Sequence, residues 1–194
     1  MGVLYYDKEN YSGALENYEQ ALSYRMKADG DENYEIANIY NNIGNVHRIQ
    51  EKYDLALQNL QRCLEIRSKI YPENHPAIAE VLTNIGLVHY DQGQYDLALS
   101  IHKKVLFIES AGLPSNDEAL GKTYIAIGDN YSVGFQNYQL ALDNYQKALK
   151  VFSQRFRLEH SSITYVETKI QETKKQISSQ LLNSAPPDET MIAT

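Results

Sequence analysis

An all-α solenoid of repeated two-helix units is the fold class this sequence predicts, and three observations carry it. The stretch Tyr40 to Ile66 aligns without a gap with Leu82 to Ile108, 42 residues further on, and agrees at 13 of 27 positions. A fixed period of roughly 20–50 residues marks a stacked architecture, in which each copy buries its apolar face only against its neighbours. Single positions extend the frame. Gly2, Gly44, Gly86 and Gly128 stand 42 apart, Tyr11, Tyr53 and Tyr95 follow their glycines by nine, and Ala14, Ala56 and Ala98 come three later. Within a copy, apolar and small residues recur at helical spacing in two stripes: Ile36, Ala37, Tyr40, Ile43, Gly44 and His47, then Tyr53, Ala56, Leu57, Leu60, Cys63 and Leu64.

In order, the expected helices are 2–8, 11–28, 34–49, 53–70, 76–91, 95–110, 117–132 and 138–156. Each even-numbered one opens at a tyrosine of the repeat frame. Pro76 sits at the first turn of its helix, where a missing N–H does no harm. A glycine in mid-helix costs about 1 kcal/mol, so its recurrence points to helices that approach too closely for a side chain. In the fourth copy Tyr138 follows Gly128 by ten residues, which places a one-residue insertion in the turn Ser132–Asn137; Ala141 and Ala148 continue in the shifted frame. Ile163, Val166, Ile170, Ile177 and Leu181, interleaved with charge, form an amphipathic capping helix over 160–182. Residues 183–194, with Pro186 and Pro187, carry no period and read as a flexible tail. The copies are about 1–32, 33–74, 75–116 and 117–159, and together with the capping helix they are expected to make one elongated unit.

Composition narrows the function. A net charge of −7 disfavours nucleic acid and an anionic membrane surface, both of which need basic residues. One cysteine, Cys63, allows no internal disulfide. No apolar run approaches 18 residues, and the N-terminus has neither a basic region nor a long apolar core, so a cytoplasmic location is expected. Because Met1 falls at the place of Ile43, most of the first helix of the first copy is lacking. The expectation is a fragment, or a product missing an upstream half-repeat.

The positions Ile43-Gly44, His47 (Tyr5 and Tyr131 elsewhere), Ala56 and Cys63 resemble the tetratricopeptide repeat, over about residues 1–168. The 42-residue length and the link His75, Pro76, Ile78, Ala79 are similar to the variant found in kinesin light chains. The link Ser110-Ala-Gly-Leu-Pro-Ser-Asn-Asp117 departs from it, lacking the His-Pro pair. The resemblance implies a right-handed superhelix of antiparallel helix pairs whose first helices line a concave groove for an extended peptide. The groove residues so implied are Asn38, Asn41, Asn42, Asn45, Arg48 and Ile49 in the second copy, and Glu80, Thr83, Asn84, Leu87, Tyr90 and Asp91 in the third. In the fourth they are Lys122, Ile125, Ala126, Asp129 and Ser132. Asparagine amides can grip a peptide backbone as donor and acceptor, and Asn42 and Asn84 share one repeat position. Leu87, Tyr90 and Ile125 would line apolar pockets, and Arg48 and Lys122 would meet an acidic group. The carboxylate clamp of chaperone adaptors is matched by Asn45, Asn84 and Lys122 but not by Asn41 and Ala126, which stand in place of cations. The acidic ligand of kinesin light chains does not carry over either, because Arg48 and Lys122 face Glu80, Asp91 and Asp129.

Nothing in the sequence calls for catalysis. His47 and His89 hold a tyrosine position and read as packing, His75 and His160 recur in links and are expected to cap or stack, and His102 replaces an apolar residue. No metal motif occurs, and Gly121-Lys122-Thr123 imitates a phosphate loop without its first glycine or its strand. Cys63 holds an alanine position and reads as a small buried residue. The expected function is a non-catalytic protein–protein interaction module, an adaptor or scaffold holding a peptide segment of a partner. No cofactor, metal, nucleic acid, membrane or small-molecule substrate is expected. The rival reading is a structural or regulatory segment of a larger, possibly enzymatic, polypeptide.

Overall fold

The helices that begin at Tyr34, Pro76, Glu118 and Ser161 each open at one recurring position, where a side chain caps the first turn. The structure is a computed structural model that describes residues 11–29, 33–157 and 160–184. Among those residues lie eight α-helices: α1 Tyr11–Asp29, α2 Tyr34–Ile49, α3 Tyr53–Ile70, α4 Pro76–Asp91, α5 Tyr95–Gly112, α6 Glu118–Asp129, α7 Tyr138–Arg155 and α8 Ser161–Ser184. At the head of α2, Asn33 Oδ1 accepts from the Ile36 N–H at 2.9 Å. One period later His75 Nδ1 accepts from the Ala77 N–H at 3.1 Å, and one more on, Asp117 Oδ1 accepts from the Ala119 N–H at 2.9 Å. His160 repeats the contact with the Ser162 N–H at 3.3 Å. The first N–H groups of a helix have no partner inside it, and each of these acceptors supplies one. An imidazole is an unusual cap, and both rings are held in place by stacking: Tyr71 on His75 at 4.2 Å and Phe156 on His160 at 3.8 Å. The two linking histidines therefore both cap and stack.

Helices α2, α3 and α4 coincide with the predicted spans, and α1 and α7 differ from theirs by one residue. Helix α5 runs two residues beyond its expected end and α8 reaches Ser184. The expected helix 2–8 and residues 185–194 of the expected tail lie outside the described residues. The span 117–132 needs correction: α6 ends at Asp129 and passes into a π-helical turn, Asn130–Gly134. Its cause is the inserted residue. The two unmodified turns close with Lys52 N–H to His47 O and Gln94 N–H to His89 O, both at 2.9 Å. The fourth turn keeps that bond as Asn137 N–H to Tyr131 O at 2.8 Å, and the wider π turn absorbs the extra residue.

Contacts gather in two compact units, Met1–Ser115 and Asn116–Thr194. The border falls in the link that lacks the His-Pro pair. In the first unit the α2–α3 and α4–α5 hairpins each pack through a glycine. A Cβ on Gly44 would stand 2.7 Å from Leu60 Cγ, and one on Gly86 would stand 2.5 Å from His102 Nε2. In the second, a Cβ on Gly128 would stand 2.6 Å from Tyr145 Cε1, and Gly121 abuts the Phe152 ring. Leu60, His102 and Tyr145 occupy one repeat position, each a large side chain seated against the glycine of its own hairpin. That explains His102: it fills the notch that Gly86 leaves and is buried there. Cys63 is fully buried, and burial pushes its thiol up to about 11, away from any reactive thiolate. The first unit's core gathers Ile36, Ala56, Leu60, Ile66, Val81 and Val88, all closed to solvent. No helix among the described residues is long and apolar enough to cross a membrane.

Candidate binding faces

The apolar stripe of α2 turns Ile36, Ile43, Gly44 and Val46 inward, leaving Asn38, Asn42, Asn45 and Arg48 half-buried on the remaining surface. Helix α4 repeats the arrangement: Ile78, Val81, Ile85 and Val88 are buried, and Thr83, Asn84, Leu87 and Tyr90 are half-buried. The sequence-derived positions of the first unit thus share a face on two adjacent helices, with one exception. Asn41 is 6% exposed, and its Oδ1 accepts from Asn84 Nδ2 at 2.8 Å. Its amide serves the packing of α2 on α4 and is closed to a ligand.

That bond is one of three polar rungs between α2 and α4. At one end Arg48 Nη1 donates to Asp91 Oδ2 at 2.5 Å, with side chains 23% and 28% exposed. At the other lies Arg67, which the sequence reading passed over. Its guanidinium comes from α3, is 1% exposed, and spans both helices: Nη2 donates to Asn38 Oδ1 at 2.7 Å, and Nη1 donates to Ala77 O at 2.6 Å and Glu80 Oε2 at 2.8 Å. The Tyr34 ring covers it at 5.7 Å, and Tyr34 meets Tyr71 edge-on, the same Tyr71 that stacks on the capping His75. A planar fork can reach acceptors on both helices from two separate nitrogens, whereas a lysine would have to serve them all from one. A signal was present: Arg67 continues the buried stripe one turn after Cys63, where a charged residue survives only if partnered.

On the first unit, then, Asn38, Asn84, Arg48 and Glu80 are each engaged within the fold. Asn42 and Asn45 have no side-chain hydrogen bond among the described residues. They share the face with Leu87 and with Tyr90, whose ring packs edge-on against Tyr95 at 5.4 Å.

The second unit presents Lys122, Ile125, Ala126 and Asp129 on α6, with Ser132 in the π turn. Lys122 Nζ pairs with Glu118 Oε1 at 2.7 Å along its own helix and stays 67% exposed. The bond from Lys122 holds the Glu118 carboxyl below its usual range. Asp129 Oδ1 accepts from Tyr145 Oη at 2.6 Å and from Lys169 Nζ at 2.9 Å. Burial pulls the Lys169 ammonium toward its neutral form, but the Asp129 bond and charge outweigh it and raise its pKa. Ile125 is half-buried. Among the described residues no three His, Cys, Asp or Glu side chains converge as a metal ion would require.

The profile described as tetratricopeptide repeat matches residues 1–68 and 35–108 of the chain. No curated protein matches. Among solved structures, the chain is similar to a putative kinesin light chain of Podosopora anserina with nearly identical TPR-like repeats. The two are 15% identical with a TM-score of 0.74, over 93% of this chain and 85% of that one. It is also similar to BtubC (BKLC) from P. vanneervenii, at 22% identity and TM-score 0.62, over 100% and 66% of the two chains. The apo form of RapI is 18% identical with a TM-score of 0.75, over 93% and 63%. At such identities the likeness shows the fold, an all-α stack of helix pairs, and leaves ligands to be argued from this chain's own residues.

Proposed function

This chain belongs to the tetratricopeptide repeat family, whose fold generally serves protein–protein interaction, and from that premise we propose that it is a non-catalytic binding module of adaptor type. The α2–α4 face of the first unit holds an extended segment of a protein partner. One observation carries the reading. The charged side chains of that face are answered inside the fold by Asp91 and Arg67, whereas the amides of Asn42 and Asn45, beside Leu87 and Tyr90, take no partner among the described residues. Uncommitted amides can pair with the N–H and C=O groups of an extended backbone, and the half-buried Leu87 and Tyr90 give its side chains apolar contact. Asn84 belongs to the same face, but as a structural member through Asn41. On the second unit, Lys122 and Ile125 are the contact residues we assign to α6, while Asp129 is committed to Lys169 and Tyr145.

The test is a selection of random linear peptides on the full chain, followed by fluorescence polarisation with the selected peptides. Asn42→Ala/Asn45→Ala is expected to weaken binding about tenfold or more, the loss of two hydrogen bonds worth roughly 1 kcal/mol each. Its circular dichroism should stay unchanged. Equal affinity for wild type and variant would overturn the assignment.

A further inference from the structure

We infer that Asp91 is a built-in occupant of Arg48 that makes the α2–α4 face select against acidic segments; this rests on the binding face proposed above and assigns its charge preference. Asp91 sits in the last turn of α4, where the partial negative charge of the helix end disfavours a carboxylate. Arg48 sits in the last turn of α2, where a cation is favoured with or without a partner. Helix energetics therefore account for Arg48 alone and not for Asp91. What accounts for Asp91 is the contact itself: its Oδ2 receives the Arg48 Nη1 bond at 2.5 Å, across the two helices that carry the face. The two side chains are 23% and 28% exposed and Asp91 itself lies at the exposed end of α4, so the pair is partly screened by salt.

The consequence for recognition is direct. Arg48 lies one turn from Asn45 and is the cation of the α2–α4 face that an incoming carboxylate would seek, since Arg67 is closed off from solvent. An acidic side chain on a bound segment must displace Asp91 and then lie beside it, like charge against like. A segment with neutral side chains opposite this point meets no such barrier. Loss of the Asp91 charge alone reverses the preference, because Arg48 is then free to pair with a ligand carboxylate.

The experiment is the same random-peptide selection, run in parallel on the full chain, on Asp91→Asn and on Arg48→Gln/Asp91→Asn, with thermal melts to establish that all three fold. Wild type should yield peptides with no excess of Asp or Glu. Asp91→Asn should yield peptides enriched in Asp and Glu, and the double variant should lose that enrichment. For one Asp91→Asn peptide remade with Gln for Glu, the acidic form should bind Asp91→Asn about tenfold more tightly than the neutral form, a charge-assisted bond's worth. On wild type it should bind no better. An acidic wild-type pool, or equal acidic content for wild type and Asp91→Asn, overturns this inference and leaves the binding face standing. If none of the three proteins enriches any peptide, the binding face falls, and the charge preference with it.

Discussion

The first helices of the hairpins are joined differently in the two units. In the first, α2 and α4 are tied by three rungs, two of which depend on amides: Asn38 with Arg67 and Glu80, Asn41 with Asn84, and Arg48 with Asp91. In the second, α6 and α8 are tied by Lys169 reaching Asp129, which also takes the Tyr145 hydroxyl. Asn84 and Lys169 hold the same place in the period once the inserted residue is counted. One is a neutral amide bonded to a buried amide, the other an ammonium paired to a carboxylate. The repeat preserves one end of this contact, moves the other from the Asn41 position to that of Asn45, one turn on, and changes the chemistry from unit to unit. The glycine contact changes less, since at Gly44, Gly86 and Gly128 a notch is filled by a large side chain opposite it, whether Leu60, His102 or Tyr145.

The comparison is broken most severely at Arg67. Arg67→Leu should cost roughly 2–4 kcal/mol, because Asn38 Oδ1 and Ala77 O lose their donor in a closed setting. Arg67→Lys should fall between, having charge without the fork. In hydrogen exchange of Arg67→Leu, protection should drop in α2–α4 and hold in α6–α8. A urea midpoint shift worth less than about 0.5 kcal/mol would mean the guanidinium is incidental to the stacking of the first unit.

Salt and alkali sharpen the contrast. Lys169→Met and Asn84→Ala should each cost on the order of 1 kcal/mol at low ionic strength. Only the Lys169→Met loss should shrink at high salt, since only there is a charge pair removed. A folded pKa raised above the ordinary 10.5 means the Lys169 contribution is complete below that value and disappears as pH climbs through the folded one. The melting difference between wild type and Lys169→Met should therefore close at strongly alkaline pH. A difference independent of both salt and pH would show that Lys169 acts by packing alone.

Much of this was legible beforehand, for a physical reason that also sets the limit. Helix spans follow from apolar spacing and from which residues can begin or close a helix, so 34–49, 53–70 and 76–91 fall where the pattern places them. The caps at Asn33 and Asp117 are side chains known for the role, whereas His75 is recognisable only with Tyr71 stacked on it. The cross-helix rungs escape because they depend on an offset between neighbouring helices: Arg48 meets a residue 43 positions on, and so does Asn41. A one-residue offset from the period is a packing angle, and no side chain announces it. Asn41, expected as a groove residue, is buried against Asn84 for that reason.

The turns that close the hairpins give a smaller effect. One place in them needs a positive φ, and it is held by Glu51 at 59°, Gly93 at 74° and, after the insertion, Gln136 at 49°. Only Gly93 signals that need in sequence. A Cβ there would meet nothing within 4 Å, so Gly93→Ala tests backbone strain without a clash and should cost about 1 kcal/mol. Glu51→Gly and Gln136→Gly should each be neutral to stabilising by up to about 1 kcal/mol, relief of strain being partly offset by the greater freedom of an unfolded glycine. Chemical denaturation of the three variants decides this. A Gly93→Ala protein as stable as wild type would remove the strain argument from all three turns.

The smallest effect separates the units by acid. His47 in the first and Tyr131 in the second share a repeat position, and only the imidazole changes charge in the mildly acidic range. Burial lowers the His47 pKa from its ordinary 6.5, the Lys52 charge adds to this, and the Glu19 charge opposes it. Folding thus favours the neutral ring. Its contribution is complete above the ordinary value and drains away as pH falls through the lowered one. His47→Tyr installs the side chain that the second unit already tolerates there, and its melting temperature should fall less steeply than that of wild type between neutral pH and about pH 5. Parallel decline of the two proteins would place the acid sensitivity elsewhere and remove His47 as a distinction between the units.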